Sequence, residues 1–353
     1  RNIERIGFTV IALDNALPFD VSNNTKITIY AADNCDPTIC GHMFGCINKD
    51  VKGSMQLDSL CVIEDGDFTI VNTNDCPFEI AEQTLTEVKK NYSEIDFALV
   101  GYTSASLYPH CMMNYNEEEM KIGIQRARLR GLTTAQRTLE ILQPKFYMPF
   151  AGTYILGGSN YKKNQHLPIP EIQDAVEHLQ EYASIQSNPV LLNYNQYFDC
   201  ENEDTSSSYV PILKEDRSRY IENVARHFKY NYEDDDYPSD SEIFELIVKA
   251  IPRLQRKQLE VGLFEKICLI FDLPSGSYAV FDLIELKPYQ VECIDDIQNF
   301  QRFKLDPRLL KRALKGPHMA NWNNIEIGAH LNFDRKPDLF RNDIHTLINA
   351  LHI

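Results

Sequence analysis

The chain has 353 residues and a formal net charge of −16, from 35 basic against 51 acidic side chains. Its overall field therefore repels nucleic-acid backbones and anionic membrane surfaces. A hydrophobic share of 43% suffices for one large domain or two ordinary ones, and no run reaches the ~18 consecutive apolar residues of a spanning helix.

Nine cysteines without a C-x-x-C pair, and no secretory leader, read as reduced thiols in a cytosolic protein. The first residue is Arg1, which fits a mature terminus, a trimmed chain or a missing upstream segment.

Residues 6–13 (IGFTVIAL) read as a buried strand, and 26–30 as a second, rich in β-branched residues. Residues 59–63 and 68–72, joined by Glu64-Asp65-Gly66-Asp67, have the pattern of a hairpin. A helical stripe covers 79–92, a buried strand 95–100, and a helix 117–142 with a break expected at Gly131, where Thr133 and Thr134 would cap its second half. One more strand is expected at 145–148, a long loop at 159–170 and a helix at 170–187. The acidic stretches 199–208 and 231–242 read as solvated loops. Beyond them come a helix at 242–251, a hairpin of 266–273 with 278–283, a short helix at 307–314, a strand-like run at 322–333 and a closing helix at 344–351. Alternating strands and helices up to about residue 160 point to an α/β layered architecture, with a soft boundary near 240.

Three strand ends carry the chemistry. Ile70-Val71-Asn72-Thr73-Asn74-Asp75 sets a carboxylate at a sheet's lip, where it could face a metal or close the strand as an Asx-turn. The segments starting Gly101-Tyr102-Thr103-Ser104 and Pro149-Phe150-Ala151-Gly152 open two further strands into small-residue loops that let a ligand approach the backbone. His42, close to Cys35, Asp36, Cys40 and Cys46, has metal-ligating neighbours, but C-x4-C-x5-C is not a zinc-ribbon spacing. His110 and Cys111 are adjacent, so on an extended chain they face opposite ways and do not pair as base and nucleophile. Walker, Rossmann, H-E-x-x-H and Rieske patterns do not occur.

Taken together, Val71–Cys76, Gly101–Ala105 with Tyr108-Pro109, Leu142–Lys145 running into Pro149–Gly152, and Trp322–Gly328 with Arg335–Asp338 resemble the metallo-β-lactamase-fold superfamily. The branch is that of the CMP-N-acetylneuraminate monooxygenase (sialic-acid hydroxylase)-like proteins and their bacterial relatives. The resemblance covers most of the chain apart from residues 185–245. It implies a metallo-β-lactamase-type αββα sandwich, incomplete at the N-terminus, over 1–185, a variable acidic region over 186–240, and a C-terminal α+β extension over 241–353, similar to a sterol-carrier module.

The same resemblance implies a divalent metal, zinc first with manganese or iron as alternatives, and aligns Asp75 with the family's strand-closing metal ligand. His42 is a weaker metal candidate, and Tyr102, Ser104 and Tyr108 would line the substrate pocket. The family's H-x-H-x-D-H loop is absent, Ser54 and Gln56 stand near the place of its intermediate histidine, and Ala151 stands where its last histidine falls. No catalytic residue is singled out.

The leading expectation is a cytoplasmic metal-dependent hydrolase of an ester, amide or phosphoester, with a nucleotide-sugar or glycan-type substrate. The alternatives are a metal-free scaffold on a degenerate fold, and a phosphodiesterase or nuclease effector whose partner subunit supplies the basic track.

Overall fold

The computed structural model describes residues 6–32, 59–103 and 106–353, and the chain is a mixed α/β protein with two principal sheets. The first has seven strands in sequential order: β1 (Phe19–Asp20), β2 (Thr25–Ala31), β3 (Ser59–Asp65), β4 (Phe68–Asn72), β5 (Phe97–Gly101), β6 (Phe146–Phe150) and β7 (Asn188–Pro189). Strands β1 to β4 pair antiparallel, and β4 to β7 pair parallel. The β3–β4 turn is the expected hairpin, with Gly66 supplying the left-handed residue at φ 61°.

Parallel pairing requires crossovers, and a helix lies in each of the three connections. Helix α1 (Phe78–Asn91) buries Phe78, Ala81, Leu85 and Val88 at helical spacing, with Glu79 in its first turn and Lys89 and Lys90 in its last, as the helix dipole favours. Helix α2 (Glu117–Leu142) starts with a capping box. The Asn116 side chain accepts from the Glu118 and Glu119 amides, and the Glu119 carboxylate accepts from the Asn116 amide. With α3 (Ile172–Tyr182) these helices enclose a core of Leu60, Val62, Val71, Ala98, Val100, Leu139 and Tyr147 against one sheet face. On the other face Phe97, Phe146 and Val190 pack with Phe198, whose ring centroid lies 5.3 and 5.0 Å from those of Phe97 and Phe146.

A small hairpin, β8 (Phe198–Asp199) with β9 (Asp204–Thr205), and helix α4 (Lys214–Asn223) follow. Helix α5 (Asp240–Val261) leads into the second sheet, whose order is β12-β11-β10-β13-β14: β10 (Cys268–Asp272), β11 (Tyr278–Asp282), β12 (Tyr289–Val291), β13 (Phe300–Lys304) and β14 (Asn332–Lys336). Helices α5, α6 (Pro307–Lys315), α7 (Trp322–Ile327) and α8 (Asn342–Ile348) bury Ile243, Leu310, Trp322 and Leu347 in a core shared with Phe271, Phe281 and Phe303. Cys111, Met112 and Leu156 join this second core, and Met113 N donates to Phe333 O at 2.7 Å, so the loop after β5 is stitched to β14.

Five segments depart from the sequence reading. Residues 6–13 are not a strand: Ile6, Phe8, Val10 and Ile11 are exposed, with no partner strand among the described residues to satisfy their backbone. Helix α2 is continuous through Gly131, and residues 158–166 form a 3-10 helix instead of an open loop. Residues 322–327 are helical because the Asn321 side chain accepts from the Asn323 amide and caps them; the strand begins only at Asn332. The acidic stretch 231–242 is partly tied down, with Tyr232 buried and Asp235 paired with Arg312 at 2.5 Å.

Candidate functional site

The carboxyl ends of parallel strands open outward, and ligands of α/β sheets gather there. Here β4, β5 and β6 end side by side, and the loops that leave them are bonded to one another. Thr73 donates its amide and its Oγ1 to Leu99 O, both at 3.0 Å, and Oγ1 accepts from Gly101 N at 3.4 Å. The Tyr102 hydroxyl meets Thr153 Oγ1 at 2.9 Å, and Thr103 Oγ1 donates to Gly152 O at 3.0 Å. The rim is thus a fixed framework of three loops.

Asp75 stands on the first loop. Asn72 Oδ1 accepts from Asn74 N at 2.8 Å, an Asx-turn that closes β4, and Cys76 N donates to Thr73 O at 3.2 Å. Asn74 is left-handed (φ 54°), and Asp75, third in the turn, is exposed to solvent. The Asx-turn reading of this segment is the one the geometry shows, and it leaves Asp75 exposed just past the end of β4. Ala151 occupies the matching place after β6, also left-handed (φ 54°) and exposed.

The other expected site residues are placed differently. Tyr102 is 1% exposed, its ring is packed in the first core, its hydroxyl is taken by Thr153, and burial raises its pKa. It positions the rim and offers no donor to a pocket. Tyr108 packs beside the second core, edge-on to Tyr115 at 5.9 Å. His42 and Ser104 lie outside the described residues.

Among the described residues no group of three or more His, Cys, Asp or Glu side chains converges as a metal site. Asp75 offers one oxygen donor, and a zinc ion takes four ligands, of which a catalytic site draws three from the protein. The described residues alone do not fit a metal. One feature of the sheet bears on the rest. Ala31 pairs with Ser59, and Cys61 with Asn72, so β2 ends and β3 begins at the same sheet end as Asp75.

A second polar cluster lies against the second core. Lys163 Nζ sits 3.4 Å from Cys111 Sγ and donates to Ala329 O at 2.5 Å. Burial lowers the Lys163 pKa and raises that of Cys111, each partly offset by the other. His330 Nδ1 lies 3.2 Å from both Asn160 Nδ2 and the Tyr232 hydroxyl. His110 is buried, and its Nδ1 has no partner among the described residues. His110 and Cys111 do not pair. The thiol's partner comes from 52 positions away, a distance at which no local pattern signals contact.

No protein-family description matches the chain, and no curated protein matches it. Among solved structures it is similar to CmlA, a diiron beta-hydroxylase from Streptomyces venezuelae, at 14% identity and a TM-score of 0.31, over 53% of this chain and 34% of that one. A mutant of CmlA aligns at 15% identity and a TM-score of 0.32, over 54% and 34%. The chain thus spans about a third of the length of the hydroxylase it matches, and a likeness this slight transfers neither a residue nor an activity.

Proposed function

We propose that the rim of the seven-stranded sheet is the working end of the chain, and that it serves metal-dependent hydrolysis of an ester, amide or phosphoester on a metallo-β-lactamase-type scaffold. The substrate in this reading is a small molecule of nucleotide-sugar or glycan type. The observation that supports it is Asp75, an exposed carboxylate held by a fixed turn where three mutually bonded loops converge. Asp75 would supply one oxygen ligand to the ion. The test is metal content: purified full-length protein should carry a stoichiometric divalent ion that is lost on Asp75→Ala. Metal-free protein that takes up no zinc, manganese or iron on titration overturns the reading.

A second reading, a metal-free binding scaffold, draws on Ala151. At the rim position after β6 its methyl group gives an ion no donor. The same titration separates the two.

A further inference from the structure

Helix α2 carries a basic run in an acidic chain. From Met120 to Leu139 it carries Lys121, Arg126, Arg128, Arg130 and Arg137 and no carboxylate, within a molecule of net charge −16. Arg126, Arg130 and Arg137, at spacings of four and seven, share one helix face. That face lines a groove of about 350 Å3 together with Phe78, Glu79, Thr133 and Thr134, the first two at the start of α1. Among the described residues Glu79 is the one carboxylate lining the groove, against three guanidinium groups.

The groove adjoins the rim through the chain itself. Phe78 follows Asp75 by three residues. On the other wall α2 crosses the second rim loop so closely that a Cβ on Gly131 would lie 2.4 Å from Tyr102 O and 3.3 Å from Thr103 Cα.

Two of the arginines are already oriented. Arg130 pairs with Glu79 at 2.9 Å, while Arg137 lies 4.2 Å from the Phe78 ring centroid and pairs with Glu82 at 3.1 Å. Arg126 is exposed. Planar guanidinium forks match tetrahedral oxyanions, and Arg126 adds a third fork beside the two that Glu79 and Glu82 engage.

We infer that this groove binds a phosphate group of the ligand that occupies the rim. The inference rests on the rim being a ligand site, and it narrows the substrate class to phosphorylated compounds. Glu79 then acts as the internal competitor that holds Arg130 in place when no phosphate is bound.

The experiment is calorimetric titration of the full chain, treated with chelator, with inorganic phosphate and pyrophosphate, using acetate as the control anion. We expect saturable binding of phosphate and pyrophosphate but not of acetate, weakening with salt. Arg126→Ala combined with Arg130→Ala should weaken it about tenfold or more. Glu79→Gln should strengthen it. Binding no stronger than acetate's, or equal binding by the arginine variants shown by circular dichroism to be folded, overturns the inference. Because chelated protein is used, loss of the metal reading leaves this result standing, and the converse also holds.

Discussion

The hydroxyl of Tyr102 lies 2.9 Å from Oγ1 of Thr153, and this contact ties the loop after β5 to the loop after β6. It holds because two glycines make room for Tyr102. A Cβ on Gly152 would sit 2.3 Å from the Tyr102 ring, and one on Gly131 would sit 2.4 Å from its carbonyl oxygen. Helix α2 thus rests directly on the rim's backbone, which is why it needs a glycine in mid-helix and runs through it unbroken.

Gly131→Ala tests that relationship. Helix propensity alone favours alanine by about 1 kcal/mol. The clash is with backbone, which cannot rotate away as a side chain would, so we expect a net loss of about 1–3 kcal/mol in urea unfolding. An unchanged or raised midpoint would mean that α2 does not rest on Tyr102.

Tyr147 gives a prediction of the opposite sign. It is fully buried among the helices on the first sheet, its hydroxyl has no hydrogen-bond partner among the described residues, and burial pushes its pKa up to about 12. An unpaired buried hydroxyl carries its desolvation cost without return, so Tyr147→Phe should stabilise the protein by about 1 kcal/mol. Destabilisation in the same assay would show that the hydroxyl is bonded in solution.

What the sequence revealed and what it hid divide along physical lines. The β3–β4 and β10–β11 hairpins were legible because apolar runs flank glycine turns, and α1 because Ile80, Leu85 and Val88 form a loose helical stripe. Gly131 misled because propensity records the cost of a glycine in a helix but not the carbonyl pressed against it. Residues 322–327 read as a strand because their apolar content is compatible with either state, and the deciding cap on Asn321 is a single side chain. At the site, the Asn72–Asp75 turn was readable as a local pattern. The burial of Tyr102 and the contact between Lys163 and Cys111 depend on residues roughly 50 positions apart, where one sequence carries no pairing signal.

Ala151 allows a test of the rim itself. Its left-handed backbone costs an alanine roughly 1–2 kcal/mol relative to a relaxed conformation, and glycine escapes that penalty while losing about 0.5–1 kcal/mol through unfolded-chain entropy. Ala151→Gly should therefore raise stability slightly or leave it unchanged. Ala151→Val, β-branched at positive φ, should lower it by at least about 1 kcal/mol. Because the side chain is exposed, packing does not confound the pair. Equal thermal unfolding of the two variants would argue against a left-handed residue there.

His110 makes stability depend on pH in a defined window. Burial chiefly, with the nearby positive charges of Lys163 and His166, lowers its pKa from 6.5 to about 4, so the folded protein keeps it neutral where the unfolded chain would protonate it. Between those two values the unfolded state binds more protons, and stability therefore rises with pH. The contribution is intact above pH 6.5, declines as the pH falls, and is lost by about pH 4, a span of about 3 kcal/mol. Carboxylates titrate over the lower part of the same range, so the informative quantity is the difference between wild type and His110→Leu. Leucine removes the proton site while keeping the position apolar, at a cost in packing that does not depend on pH. Urea unfolding at pH 7 and pH 4.5 should show the wild type losing about 2–3 kcal/mol more than the variant. Parallel losses in the two proteins would mean that His110 is solvated or hydrogen-bonded in solution.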